Sequence, residues 1–205
     1  MLVKDEFLKV VCKYEPITEK QLRLWSEIEK HYSSSKRHYH NLTHLESLTQ
    51  QLIALQSNFE NWDVIVSSIV YHDVVYNVRK NDNEEKSAEY ATKKLKEFSF
   101  PDSLTQRCAS LILSTKKHED ADRETNLFTD ADLSILGSSS SDYKNYALQI
   151  RKEYRVYPDF LYNSGRKKVL NHFLNMKMIF KSNEFGERYE KRARLNLLEE
   201  LKTLG

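Results

Sequence analysis

The sequence predicts an all-α chain folded as a single helical-bundle domain over residues 1–205. Two observations carry this. Only four Gly and three Pro interrupt 205 residues, and few breakers among many Leu, Lys, Glu and Arg favour helix. Apolar residues also recur three and four positions apart along most of the chain, the spacing of one helix face. The length is enough for one domain with a sizeable core.

The elements follow in order. Pro16-Ile17-Thr18-Glu19 opens a helix running to about Tyr32, with Leu22, Trp25 and Ile28 inward. Ser33-Ser34-Ser35 ends it. A second helix covers about Asn41 to Gln56, with Leu42, Leu45, Leu48, Leu52 and Leu55 as its stripe. Asn58 to Asn61 links to an apolar run, Trp62 to Val70, that reads as a buried helix. Asn77 to Asn83 is loop, and Asn83 starts a helix reaching about Phe98. Pro101 opens the next, with Leu104, Cys108, Leu111 and Ile112 inward and His118 just past its end. Glu119 to Glu124 is loop.

Leu127 to Leu136 forms a short helix closed by Gly137. Ser138 to Ser141 is a linker, and Ser141 or Asp142 caps a helix reaching about Val156. Pro158 opens a segment with a turn at Ser164-Gly165, followed by Arg166 to Lys181. A last helix spans about Glu184 to Leu201, with Tyr189, Leu195 and Leu198 inward. No internal repeat and no domain boundary is visible.

Charge and cysteine usage narrow the function classes. The 32 basic residues nearly balance the 30 acidic ones, for a net charge of +2. This leaves no bulk attraction to nucleic acid or to an anionic membrane. The two cysteines, Cys12 and Cys108, have no metal or redox spacing, so a reduced cytoplasmic setting is expected. Met1-Leu2-Val3-Lys4-Asp5-Glu6 is charged too early for a signal peptide, and no uncharged run approaches a membrane span.

The chemistry centres on Tyr71-His72-Asp73, where the apolar run ends in an imidazole beside a carboxylate. Burying that pair is costly without compensation. A divalent metal compensates well, because both groups are standard ligands. The plainer alternative is a core histidine bonded to a carboxylate. His40 and His44 lie four apart and share a helix face. The separation of His44 from His72 suits two adjacent antiparallel helices, and Asp132 follows on another element. Together His44, His72, Asp73 and Asp132 make a donor set suited to Mn, Mg, Fe or Zn. Without paired cysteines, a closed structural zinc site is disfavoured.

These residues resemble the HD superfamily of metal-dependent phosphohydrolases, whose pattern is a His, an adjacent His-Asp, and a distal Asp, all on helices. His44, His72-Asp73 and Asp132 match in order. Tyr39-His40-Asn41-Leu42-Thr43-His44 resembles the Tyr-His-Asn-x-x-His signature of cyclic-nucleotide phosphodiesterases, and Ala131-Asp132-Leu133-Ser134 resembles their distal segment. From about Tyr39 to Asn196 the chain is similar to a bacterial group of uncharacterised HD phosphohydrolases. The shared segments begin at Asn83, Ala131 and Ile150.

The resemblance implies His40 as proton donor and His44 as a ligand, and favours Asp132 over Asp130 as the distal ligand. His40 and Asp73 are the catalytic candidates. The large phosphodiesterases have a longer catalytic domain, and their purine-binding Gln cannot be placed in this sequence, so cyclic-nucleotide specificity is not carried over.

Hydrolysis by this set would use a metal-activated water as nucleophile and a histidine to protonate the leaving oxygen. His40 has a bland alternative as a helix-start residue. His118 is either an extra ligand or phosphate contact, as in HD proteins with two metals, or a solvated side chain. Glu84 and Glu85 either supply a base or favour the helix dipole. Asp130 is second to the ligands or a helix cap, with the cap favoured. Arg151, Arg155 and Arg166 either bind an anionic substrate or pair with neighbours such as Glu153 and Asp159.

The expected partners are a small phosphorylated substrate and, at most, a second copy in a homodimer. Neither nucleic acid nor membrane is expected. Two rival functions remain: a non-catalytic metal-containing regulatory module, and a di-iron HD-fold oxygenase, which would need more ligands from His118 and Glu84.

Overall fold

The computed structural model of the chain describes residues 1–204. Those residues form helices and connecting turns, with no β-strand among them. None of these helices is long and apolar enough to cross a membrane. The chain divides into two compact units, Met1–Glu119 and Asp120–Gly205.

In the first unit the helices are α1 (Leu2–Val11), α2 (Thr18–Tyr32), α3 (Leu42–Ile53), α4 (Trp62–Tyr71), α5 (Asn83–Glu97) and α6 (Asp102–Ser114), with one 3-10 turn at Gln56–Asn58. The centre is α4, which packs against α1, α3, α5 and α6. Every residue from Asp63 to Tyr71 is buried, as a helix apolar on all sides requires. Asn61 starts it by accepting the N–H of Asp63 and Val64, which satisfies two orphan donors.

The first helix, α1, was hidden in the sequence behind its charges. Val3, Phe7, Val10 and Val11 are buried on one face, and the Phe7 ring meets Trp25 and Tyr71. Glu46 on α3 accepts the Leu2 and Val3 N–H at 2.8 and 3.0 Å, closing the open helix start. In α2 the inward residues are Leu24, Trp25, Ile28 and Tyr32, while Leu22 faces solvent.

The second unit holds α7 (Arg123–Leu133), which runs into a 3-10 turn (Ser134–Gly137), then α8 (Ser140–Glu153), α9 (Asp159–Asn175) and α10 (Asn183–Thr203). Local expectations for the α8 cap and for a turn in α9 fail in this unit. The cap of α8 is Ser139, whose hydroxyl accepts the Asp142 N–H. No turn breaks the chain at Ser164-Gly165, because α9 runs straight through. Nothing lies within 4 Å of a Cβ built on Gly165, so this glycine costs helix propensity alone, about 1 kcal/mol.

The inward residues of α10 include Phe185, Tyr189, Ala193 and Leu197, with Leu195 and Leu198 exposed. Gly137 is required by packing. A Cβ there would sit 2.5 Å from Tyr189 Cβ and 2.7 Å from the Tyr189 carbonyl oxygen.

Candidate metal centre

Two helix ends in the first unit build the site. His44 lies in the first turn of α3, set by Asn41, whose side chain accepts the Thr43 N–H and donates to the His38 carbonyl. His72 and Asp73 follow directly on α4 and turn the chain out of the core. Rigid, buried α4 therefore delivers the pair to a fixed place. Both histidines are buried, and Asp73 is partly exposed.

Their geometry is that of a donor set. His72 Nδ1 lies 2.9 Å from the Ile69 carbonyl oxygen. A carbonyl only accepts, so Nδ1 carries the proton and a neutral ring keeps its lone pair on Nε2. That Nε2 faces His44 Nε2 at 3.2 Å and Asp73 Oδ2 at 3.2 Å. His44 Nε2 and Asp73 Oδ2 are 3.9 Å apart.

Lone pairs aimed at one another repel unless a proton or a cation stands between them. Fixing a ligand's ring by a backbone carbonyl on the far nitrogen is how metal-binding histidines are oriented. Burial pushes the Asp73 carboxyl up; when the rings are protonated, the charge of His72 and its N–H bond to the carboxylate, with the charges of His40 and His44, outweigh this and hold the group well below the carboxylate range.

His44, His72 and Asp132 make up a histidine–carboxylate group that could hold a metal ion. Among the described residues this group includes none of Asp73, Glu84 and His118; Asp73 meets the site through its contacts with His72 and His44. Asp132 sits half-buried on α7. Its neighbour Asp130 is fully buried and accepts the backbone N–H of Lys181 and of Ser182, together with the Ser182 hydroxyl. Asp130 thus ties α7 to the start of α10.

His40 lies in the loop before α3 and is half-buried. Its ring stacks on Tyr76 with centroids 4.3 Å apart and stands 5.9 Å from the His44 ring. Glu84 lies in the first turn of α5. Burial pushes its carboxyl up; Lys116 opposes this and the charge of Asp73 adds to it. Glu85 is paired with Lys116. His118 takes a left-handed backbone, φ 51°, and its N–H bonds the Ser114 carbonyl. It therefore closes α6 in the left-handed region, where His, like Asn and Asp, is enriched among non-glycine residues.

The arginines of the second unit are held by its own residues. Arg151 bonds Asp159 and the carbonyls of Tyr154 and Tyr157 and lies over the Tyr162 ring. Arg166 forms a two-pronged pair with Glu200, at 2.7 and 2.9 Å; Arg166 is buried and Glu200 is half-buried. The expected pairing of Arg151 with Asp159 is present, and these two guanidinium groups are spent on structure. Arg155 is exposed at the end of α8.

One residue near the site had no signal in the sequence. Arg37 donates to the carbonyls of His40, Asp73 and Val74. A loop arginine has no periodicity to betray it; a count of carbonyls awaiting donors around His72-Asp73 was the missing clue.

No family model, curated protein or solved structure matches this chain. The class that fold and site define is therefore an all-α protein with a histidine–carboxylate group able to take a metal.

Proposed function

We propose that this chain is a metal-dependent phosphohydrolase of the HD type, which cleaves the phosphate ester of a nucleotide or another small phosphorylated metabolite. The carrying observation is the convergence of His44 Nε2, His72 Nε2 and Asp73 Oδ2, with His72 Nδ1 already committed to the Ile69 carbonyl. These residues fit a divalent metal, and Asp132 is the fourth ligand in this proposal. A bound cation would supply Lewis acidity, activating water and stabilising charge on the phosphoryl oxygens.

The remaining roles belong to the chain. His40 is half-buried and stacks on the ring of Tyr76. It gives a proton to the leaving oxygen, a general-acid role that an imidazolium can fill. His72, locked by the Ile69 carbonyl, holds its lone pair in one direction. Glu84 stands within electrostatic reach of Asp73, with a raised carboxyl. It is the candidate for accepting a proton from water.

The test is a panel of p-nitrophenyl phosphate, its bis ester and nucleotides, each with added Mn, Mg, Fe or Zn. Turnover that needs a metal and is lost in His72→Ala supports the proposal. In His40→Ala turnover should fall while metal content stays the same; loss of metal there would make His40 a ligand. Bound metal without turnover across the panel would instead favour a non-catalytic module. A count of one ion per chain speaks against the di-iron oxygenase.

A further inference from the structure

Three segments of the first unit must keep a fixed relation for this site to exist: the His40 loop, the start of α3 and the turn after α4. Two are joined by a single side chain. Arg37 Nη1 donates to the His40 carbonyl at 3.1 Å and to the Asp73 carbonyl at 2.7 Å, and Nη2 donates to the Val74 carbonyl at 3.0 Å. The guanidinium also lies over the Tyr32 ring, 4.7 Å from its centroid, and 5.3 Å from that of Tyr76. Tyr32 is itself tied to α4 through its hydroxyl and the Val70 carbonyl, and Tyr76 is the ring on which His40 stacks.

We infer that Arg37 is the positioning residue of the site. It clamps the backbone of the proton-donor segment to the backbone of the His72-Asp73 turn. This rests on the metal-site reading given above. The chemistry explains why arginine is needed. A planar fork with several fixed donors can serve carbonyls from two segments and still present its faces to two aromatic rings. Lysine would place one point charge there, with no plane and no fixed donor directions. Arg37 does not touch a reacting atom. It acts through the backbone of His40 and Asp73, as outer partners of a metal site do.

The experiment compares the full chain with Arg37→Ala and Arg37→Lys, using Co(II) as the probe and its visible absorption as the readout. Denaturant stability is measured in parallel. Arg37→Ala should lower Co(II) affinity about 10- to 100-fold and alter the cobalt spectrum. Added guanidinium ion should restore both in Arg37→Ala. Arg37→Lys should keep most of the stability and still lose affinity.

Unchanged affinity and spectrum in Arg37→Ala would overturn the assignment, as would a loss that merely tracks stability and is not rescued by guanidinium. Absence of cobalt binding by the unaltered chain would sink the metal reading, and Arg37 is then judged from the imidazole NMR signals of His40 and His72. Those signals should shift in Arg37→Ala and return with guanidinium; signals that stay put would overturn the positioning role.

Discussion

Removing the Asp130 carboxylate should cost more stability than any exposed substitution in the second unit. Asp130 is fully buried. Its two oxygens take three donors: the Lys181 N–H at 3.0 and 2.9 Å, the Ser182 N–H at 2.7 Å and the Ser182 hydroxyl at 2.7 Å. Asp130→Ala strands all three. Each buried donor left unpaired costs about 1–3 kcal/mol. Lys181 is only half-buried, so water recovers part of its share, and a total of about 3–5 kcal/mol is expected.

Asp130→Asn should cost less, about 2 kcal/mol, because one oxygen still accepts while the amide NH2 faces another donor. Ser182→Ala removes one donor together with its need, and should cost about 1 kcal/mol. Urea unfolding of the three variants measures these values, and the Asp130–Ser182 double mutant reports their coupling. Should Asp130→Ala unfold within about 1 kcal/mol of the unaltered chain at equal slope, the claim that this carboxylate fastens α7 to the start of α10 is wrong.

Other expectations follow the same reasoning. Gly137→Ala forces a methyl into the Tyr189 backbone and Cβ and should destabilise by about 1–3 kcal/mol in urea unfolding, whereas Gly165→Ala, with nothing nearby, should stabilise by up to about 1 kcal/mol. Glu200→Ala leaves the buried Arg166 guanidinium without its carboxylate and should cost about 3–5 kcal/mol. Glu6 titrates low: burial pushes its carboxyl up, but bonds from Lys9 and Trp62 outweigh this. A carboxyl lowered on folding adds stability above its ordinary value of 4.5 and loses it as pH falls through the folded value. Unfolding measured from neutral pH to about pH 3 should therefore show the gap between the unaltered chain and Glu6→Gln closing with acid; a constant gap would contradict this.

Much of the fold was legible because helix periodicity survives in α3, α4, α5 and α6. The Trp62 run has no polar face to misplace, and its end at His72-Asp73 was visible as a charge step after apolar residues. Errors arose where a local rule met a tertiary one. Gly165 reads as a turn, yet its exposed place on α9 tolerates helix. Leu195 and Leu198 read as core, yet the face set by Tyr189, Ala193 and Leu197 turns them outward.

The donor residues were legible as residue types with a shared chemistry. What the sequence could not supply was the hydrogen-bond context: the Ile69 carbonyl that fixes the His72 ring, the Glu200 carboxylate that occupies Arg166, and the carbonyls gathered by Arg37. Each joins residues that no periodic pattern relates.

The central claim is that histidine and carboxylate donors of this chain share one cation. Anomalous diffraction from crystals grown with Mn(II) tests it most directly. The account predicts a peak about 2.0–2.2 Å from His44 Nε2, His72 Nε2 and a carboxylate oxygen of Asp73, with Asp132 as the fourth protein ligand. A peak elsewhere, or none while His44 and His72 remain 3.2 Å apart and share a proton, would contradict it.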